Sequence, residues 1–170
     1  MNAFDLLKQQ HREADELFIR LESAPLERRG ELLNQLADAL AVHTMIEEKH
    51  FYPASMVGSE TEDLLRAALD EHLGVKQLLT DLLEIDVTDP AFEARLETLR
   101  LQVEKHVREE EIELFPRVDQ LLDPSRIEAL GESMGMMARR LRGMAPRREI
   151  PRQVLAAARA EAEEDGRHAA

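Results

Sequence analysis

Four histidines and two glutamates occupy positions where the apolar stripes of this chain otherwise carry leucine, valine, alanine or phenylalanine. His43 and Glu47 stand four apart. His106 and Glu110 repeat that spacing 63 residues later, inside the matching frames HTMIEEKHFYP and HVREEEIELFP. Residues four apart share one helix face, so each pair can reach a common point. His11 and His72 lie upstream of the two copies, each in the middle of another apolar stripe. Imidazole and carboxylate together suit iron, manganese or zinc, and one glutamate from each half could bridge two ions. The spacing alone carries little, because 24 glutamates and six histidines among 170 residues give nearly one such pair by chance. Placement carries the weight. A buried carboxylate without partners is costly or takes up a proton, so two carboxylates and four imidazoles in one core call for cations.

The elements that must position these groups read as helices. Helix one spans about residues 2–22, with a stripe of Phe4, Leu7, His11, Ala14, Phe18 and Leu21. Helix two spans 26–52, with Leu36, Leu40, His43, Glu47 and His50 on its seam, and Pro53 and Gly58 are expected to end it. Helix three opens on the capping-box pattern Ser59-x-x-Glu62 and carries Leu65, Ala68, His72, Val75 and Leu79. Asp89 and Pro90 read as the cap and first residue of helix four, whose seam holds Leu99, Val103, His106, Glu110 and Glu113. Asp123-Pro124 repeats that start signal for a helix over 125–142, where Met134, Met136, Met137 and Leu141 cover one face of the bundle. Short connections make neighbouring helices antiparallel. The expectation is an all-α protein: an up-down-up-down four-helix bundle over 1–122, an accessory helix packing on it over 123–145, and a linker with a weakly ordered charged tail over 146–170.

Composition narrows the classes. There is no cysteine, which excludes disulfides, iron–sulfur ligation and a thiol nucleophile. The net charge of −13, with one tyrosine and no tryptophan, argues against nucleic acid as a partner. Residues 1–138 carry 14 Lys and Arg against 30 Asp and Glu, whereas 139–152 carry six Arg against one Glu. That basic run is a solvated helix end or linker, or a docking patch for an acidic partner. The charged amphipathic start is not a signal peptide, and no run is apolar enough for a membrane span, so a cytoplasmic protein is expected.

The ordered set of QQHREAD around His11, HTMIEEKHFYP, DEHLGVK around His72, and HVREEEIELFP resembles the hemerythrin-like family, the HHE cation-binding domain. The resemblance spans about residues 1–122. It implies a four-helix bundle around a non-haem di-iron centre that binds or senses oxygen, senses iron, or handles peroxide or nitric oxide. His11, His43, His72 and His106 would bind terminally, and Glu47 and Glu110 would bridge. Manganese or zinc are alternatives to iron. Oxygen carriers of this family have a fifth histidine one turn after the third-helix ligand. That position is Lys76 here, and a protonated lysine cannot ligate. The carriers also use aspartate, at a wider spacing, where this chain has Glu110. The pattern leaves open metal positions, as catalysis requires, and members resembling it are associated with catalase-like removal of peroxide.

The resulting expectation is a di-iron protein that disproportionates hydrogen peroxide, with O2 and NO as further small ligands, as a monomer or homodimer. A sensor signalling through the Arg-rich segment is the alternative, followed by a ferritin-like oxidase or store based on Glu47-x-x-His50. His50, Glu113, Tyr52, Lys76 and Glu71 are candidates for supporting the ligands, and Asp15 and Glu71, beside ligand histidines, for orienting them.

Overall fold

The computed structural model describes residues 1–168, and every element among them is helical. Helix α1 spans Ala3–Glu22 and buries Leu7, His11, Ala14, Phe18 and Leu21, the alternating four-and-three stripe of an amphipathic helix. The Asn2 side chain caps it by accepting from the Asp5 N–H at 2.9 Å. Helix α2, Leu26–Ile46, does not stop at Pro53 as expected. It runs through a π turn, Glu47–Phe51, into α3, Tyr52–Ser55. Helix α4 spans Ser59–Glu84 and α5 spans Phe92–Glu109. A second π turn, Glu110–Leu114, joins α5 to α6, Phe115–Leu121. Each π turn begins at the glutamate of a His-x-x-x-Glu pair.

The prolines explain the π turns. Pro53 and Pro116 lie six residues after Glu47 and Glu110. Proline has no N–H, and its ring clashes with the carbonyl four residues back in a regular helix. In each copy the preceding residue, Tyr52 or Phe115, donates its N–H to the glutamate carbonyl five back. The widened turn lets the helix pass its proline instead of ending.

Two other helix starts differ from expectation. The Ser59 box does not form. Gly58 is the N-cap, with no side-chain hydrogen bond, and Thr61 instead donates its hydroxyl to the Ser55 carbonyl at 2.8 Å. Helix α5 begins at Phe92, not Pro90, because the Asp89 side chain accepts the Ala91 N–H at 2.8 Å and makes a turn first.

Two apolar clusters close the bundle at its ends. One gathers Phe18, Leu36, Leu40, Leu79, Phe92 and Leu99. The other gathers Leu7, Ile46, Phe51, Leu65, Phe115 and Val118. Burying each such side chain contributes about 1.5–3 kcal/mol. The polar residues of the stripes lie between the clusters, shielded from water at both ends.

The accessory helix α7, Pro124–Leu141, packs on α1 and adds Ile127, Met134 and Ala138 to the second cluster. Met136 does not join that face and is exposed. Residues 146–154 are not a loose linker. Pro146–Glu149 form a 3-10 turn against α2, and helix α8, Ile150–His168, packs on α4 with Ile150 buried in the first cluster. Arg147 anchors this segment, donating both its backbone N–H (3.0 Å) and its guanidinium (2.5 Å) to Asp38. Part of the basic run thus docks on the chain's own acidic surface. Residues 169 and 170 of the expected tail lie outside the described residues. Among the described residues no helix is long and apolar enough to cross a membrane.

Candidate metal centre

Helices α1, α2, α4 and α5 bring His11, His43, His72 and His106 to one level of the core, with Glu47 and Glu110 between them. His11, His43, Glu47 and Glu110 present ligand atoms within 4.8 Å of one another, and so do Glu47, His72 and His106. Glu47 Oε2 lies 3.1 Å from His43 Nε2 and 3.2 Å from His72 Nε2. Glu110 Oε2 lies 3.4 Å from His11 Nε2 and 3.6 Å from His106 Nε2. Each carboxylate therefore faces one histidine from each half.

The opposite edge of every ring is held from outside. Glu111 stands 2.7 Å from His11 Nδ1, Gln10 Oε1 3.1 Å from His43 Nδ1, Glu48 2.9 Å from His72 Nδ1 and Glu71 3.0 Å from His106 Nδ1. These oxygens accept, so each Nδ1 carries a proton, and the Nε2 of a neutral ring turns a lone pair inward. The duplication persists at this level. Gln10 and Glu71 each precede a ligand-position histidine, and Glu48 and Glu111 each follow a ligand-position glutamate.

The inward atoms lack partners. His11 Nε2, His43 Nε2, both Glu47 oxygens and Glu110 Oε2 are buried without a hydrogen bond. His72 Nε2 and His106 Nε2 stand 3.2 Å apart, lone pair to lone pair when both rings are neutral. Buried polar groups are nearly always satisfied. A convergent set of unsatisfied nitrogen and carboxylate atoms fits cations bound by imidazole and oxygen. Electrostatics agree. Burial and then the neighbouring Glu110 hold the Glu47 carboxyl well above its ordinary range. Burial also acts on Glu110, but His106, His11 and His43 outweigh it and pull that carboxyl down. Burial and the other rings hold His43 well below its usual value, and burial lowers His72. For His106, Glu110 and Glu71 overcome burial and raise it.

Of the supporting candidates, Tyr52 enters the centre. Its hydroxyl donates to Glu110 Oε1 at 2.9 Å and lies 3.0 Å from His72 Nε2. Burial and the two glutamates keep the phenol protonated. The equivalent residue in the other half is Phe115, stacked on His11. Lys76 is buried and donates to both Glu48 oxygens, at 2.7 and 2.9 Å. Glu71 holds His106 on the next helix rather than its sequence neighbour His72, and Lys105 also donates to it. Its carboxyl is drawn down to about 2, chiefly by the His106 hydrogen bond.

His50 and Glu113 are not brought into the cluster. His50 is half-buried and Glu113 is exposed. In a π turn the residue one turn on from the glutamate is the fifth, Tyr52 or Phe115, which displaces the residue three along from the seam. Asp15 is exposed and pairs with Arg100 at 3.4 Å, not with His11. Gln10, Glu48 and Glu111 were not expected from the sequence. Their signal was present, since Glu48 and Glu111 align when the two copies are superposed.

A small chamber of about 20 Å³ lies against the four rings, walled by Ala14, Leu40, Val75, Val103 and Val107. It has room for about one small molecule.

The hemerythrin HHE cation binding domain matches residues 2–118. A solved hemerythrin HHE cation binding domain-containing protein from Mycobacterium kansasii is similar in fold, with a TM-score of 0.77 and 28% identity over 87% of this chain and 98% of that one. A curated protein from Nostoc sp. (strain PCC 7120), named a DNA nickase, is 30% identical over 132 residues. That alignment takes in 75% of this chain but 36% of the relative, so the chain spans little more than a third of the relative's length.

Proposed function

The chain belongs to the hemerythrin HHE cation-binding family, and on that premise we propose that it holds two iron ions and disproportionates hydrogen peroxide. The observation that supports this most is the ring of buried, unpartnered Nε2 and carboxylate atoms, which cations would satisfy. His11 and His43 would hold one ion and His72 and His106 the other, with Glu47 and Glu110 between them. Two irons so bound supply a redox couple that peroxide can both reduce and oxidise, turning two H2O2 into two H2O and one O2. Glu48, Glu71, Glu111 and Gln10 fix the tautomer and orientation of the rings. The Tyr52 hydroxyl keeps a proton beside the centre, poised against Glu110. The apolar ends of the bundle exclude bulk water.

Lys76 supports turnover over reversible carriage. It occupies the position of a further ligand in oxygen carriers and is committed to Glu48 instead, so an ion held by His72 and His106 would have one protein ligand fewer than in those carriers. One feature favours sensing as a second reading. Gln10, which orients His43, also lines a cavity of about 380 Å³ with Asp38, Arg142 and Pro146, so the Arg-rich segment abuts a partner of the centre. The activity named for the Nostoc relative is not part of this proposal, because a net charge of −13 opposes contact with a phosphate backbone.

The test is metal analysis of aerobically purified protein, with oxygen release recorded on adding peroxide to the same sample. About two irons per chain with sustained oxygen evolution is the expected result. Two irons without turnover would move the function to sensing or ligand binding. No metal after reconstitution with iron would reject the centre.

A further inference from the structure

The bundle has two seams related by its internal duplication, α1 against α5 and α2 against α4. Superposing the halves places Asp15 where Lys76 stands and Val107 where Thr44 stands. The α2/α4 seam is shut. Lys76 reaches across it to both oxygens of Glu48, and Leu40 and Thr44 of α2, which stand where Val103 and Val107 do in the other half, are buried. The 3-10 turn and α8 then pack outside, on α2 and α4. The α1/α5 seam has no such pair beside His11, Val103 and Val107; its own ion pair, Arg100 of α5 with Asp15 and Glu22 of α1, lies toward the first apolar cluster. Asp15 and Glu111 line it together, and like charges cannot make the pair that Lys76 and Glu48 make. Asp15 turns to Arg100 of α5 and Glu111 to His11 of α1, so neither carboxylate bonds the other and the stretch between them is left uncovered. A groove of about 410 Å³ opens there. His11, Val103 and Val107 line both this groove and the small chamber against the four histidines, so a thin wall of side chains separates solvent from the centre.

We propose that the α1/α5 groove is the route by which small uncharged ligands reach the centre, with Val103 and Val107 as a size gate, while the Lys76–Glu48 pair closes the equivalent route between α2 and α4. This rests on reading the centre as a small-ligand iron site. Val107 is half-buried, so one side of its side chain faces the groove and the other the chamber. At about 20 Å³ the chamber is of the size that holds about one water-sized molecule, a fit for nitric oxide or hydrogen peroxide rather than for a branched organic hydroperoxide.

The test follows nitric oxide association with the iron-loaded full chain by anaerobic stopped flow, with metal content measured on the same samples. Nitric oxide is uncharged, so a charge change at the rim cannot steer it. Asp15→Lys gives up the Asp15–Arg100 pair, leaves Arg100 on Glu22, installs the latch of the other seam, and is expected to slow association at least about tenfold, at unchanged iron content. Val107→Ala opens the gate and is expected to speed it several-fold. Unchanged rates in both variants, with iron retained, would overturn the gate. If Asp15→Lys loses iron or fails to fold, Val107→Ala decides alone, a faster rate supporting the route and an unchanged one rejecting it. Nitric oxide association does not require turnover. A protein that binds it through the gate but evolves no oxygen would reject the peroxide reading and leave the route standing. Wild-type protein that takes up no iron, or no nitric oxide when loaded, overturns both.

Discussion

Glu47 and Glu110 are the same residue in duplicate frames, yet their surroundings push their carboxyls in opposite directions. Glu47 is held up by burial and by its neighbour, whereas Glu110 is drawn down by the histidines around it despite burial. Two carboxylates this close do not both ionise without a cation. In chelator-treated protein, Glu47, the carboxyl that burial and its neighbour hold up, carries less of the pair's charge, so Glu47→Gln should change stability by less than about 1 kcal/mol. Glu110→Gln removes the charge that faces His106, the ring whose own value is raised, and should cost about 1–3 kcal/mol. Thermal denaturation of the two variants checks the contrast, and equal losses would show that the pair shares its charge evenly. The same asymmetry sets a pH dependence. The Glu47 carboxyl is raised, so its proton competes with metal below that raised value, and affinity weakens as pH falls. Adding zinc to metal-free protein in unbuffered solution near pH 7 should release protons, and Glu47→Gln should release fewer. Equal release by both would place the proton elsewhere.

At the scale of the element, close approach decides how the accessory helix seats. A Cβ on Gly131 of α7 would stand 2.5 Å from the Asn2 carbonyl carbon and the Met1 oxygen, and 2.7 Å from the Ala3 nitrogen. These are backbone atoms at the start of α1 and cannot swing aside as a side chain can. Gly131→Ala should therefore push α7 off α1 and destabilise the protein by about 1–3 kcal/mol. Hydrogen exchange should rise across 124–141 and at the start of α1. Protection matching the wild type would show that the backbones can adjust. The π turns belong to this scale as well. By adding one residue ahead of each proline they carry Tyr52 and Phe115 into the core and leave His50 and Glu113 outside it.

For the whole molecule, the centre lies between two apolar clusters and ties four helices together. A ligand that binds only the folded state stabilises it by mass action. At a free concentration of 100 times Kd, each ion contributes about 2.7 kcal/mol. In a chain of this size that raises Tm by roughly 5–10 °C per ion. Chelation should lower Tm by at least that much while leaving the far-ultraviolet helix signal intact, since the apolar ends pack without the metal. No shift on chelation would mean that the polar cluster does not bind metal in solution.

Local patterning carried a large part of this protein. The helical periods, the short connections, the recurrence of HTMIEEKHFYP as HVREEEIELFP and the polar interruptions of apolar stripes are all local in the chain, and they pointed to an all-α bundle with six polar groups at its centre. Tertiary packing settled the rest, because those contacts join residues far apart in the sequence. Gln10 on α1 meets His43 on α2, Glu48 meets His72 and Lys76 on α4, and Glu111, beyond α5, returns to His11. No spacing encodes which of several adjacent glutamates faces inward once a π turn rotates the helix. Nor does spacing show that one duplicated seam is latched over the rings and the other is grooved there. That difference lies in a lysine and an aspartate at equivalent positions, and it matters only when each meets a glutamate across the bundle.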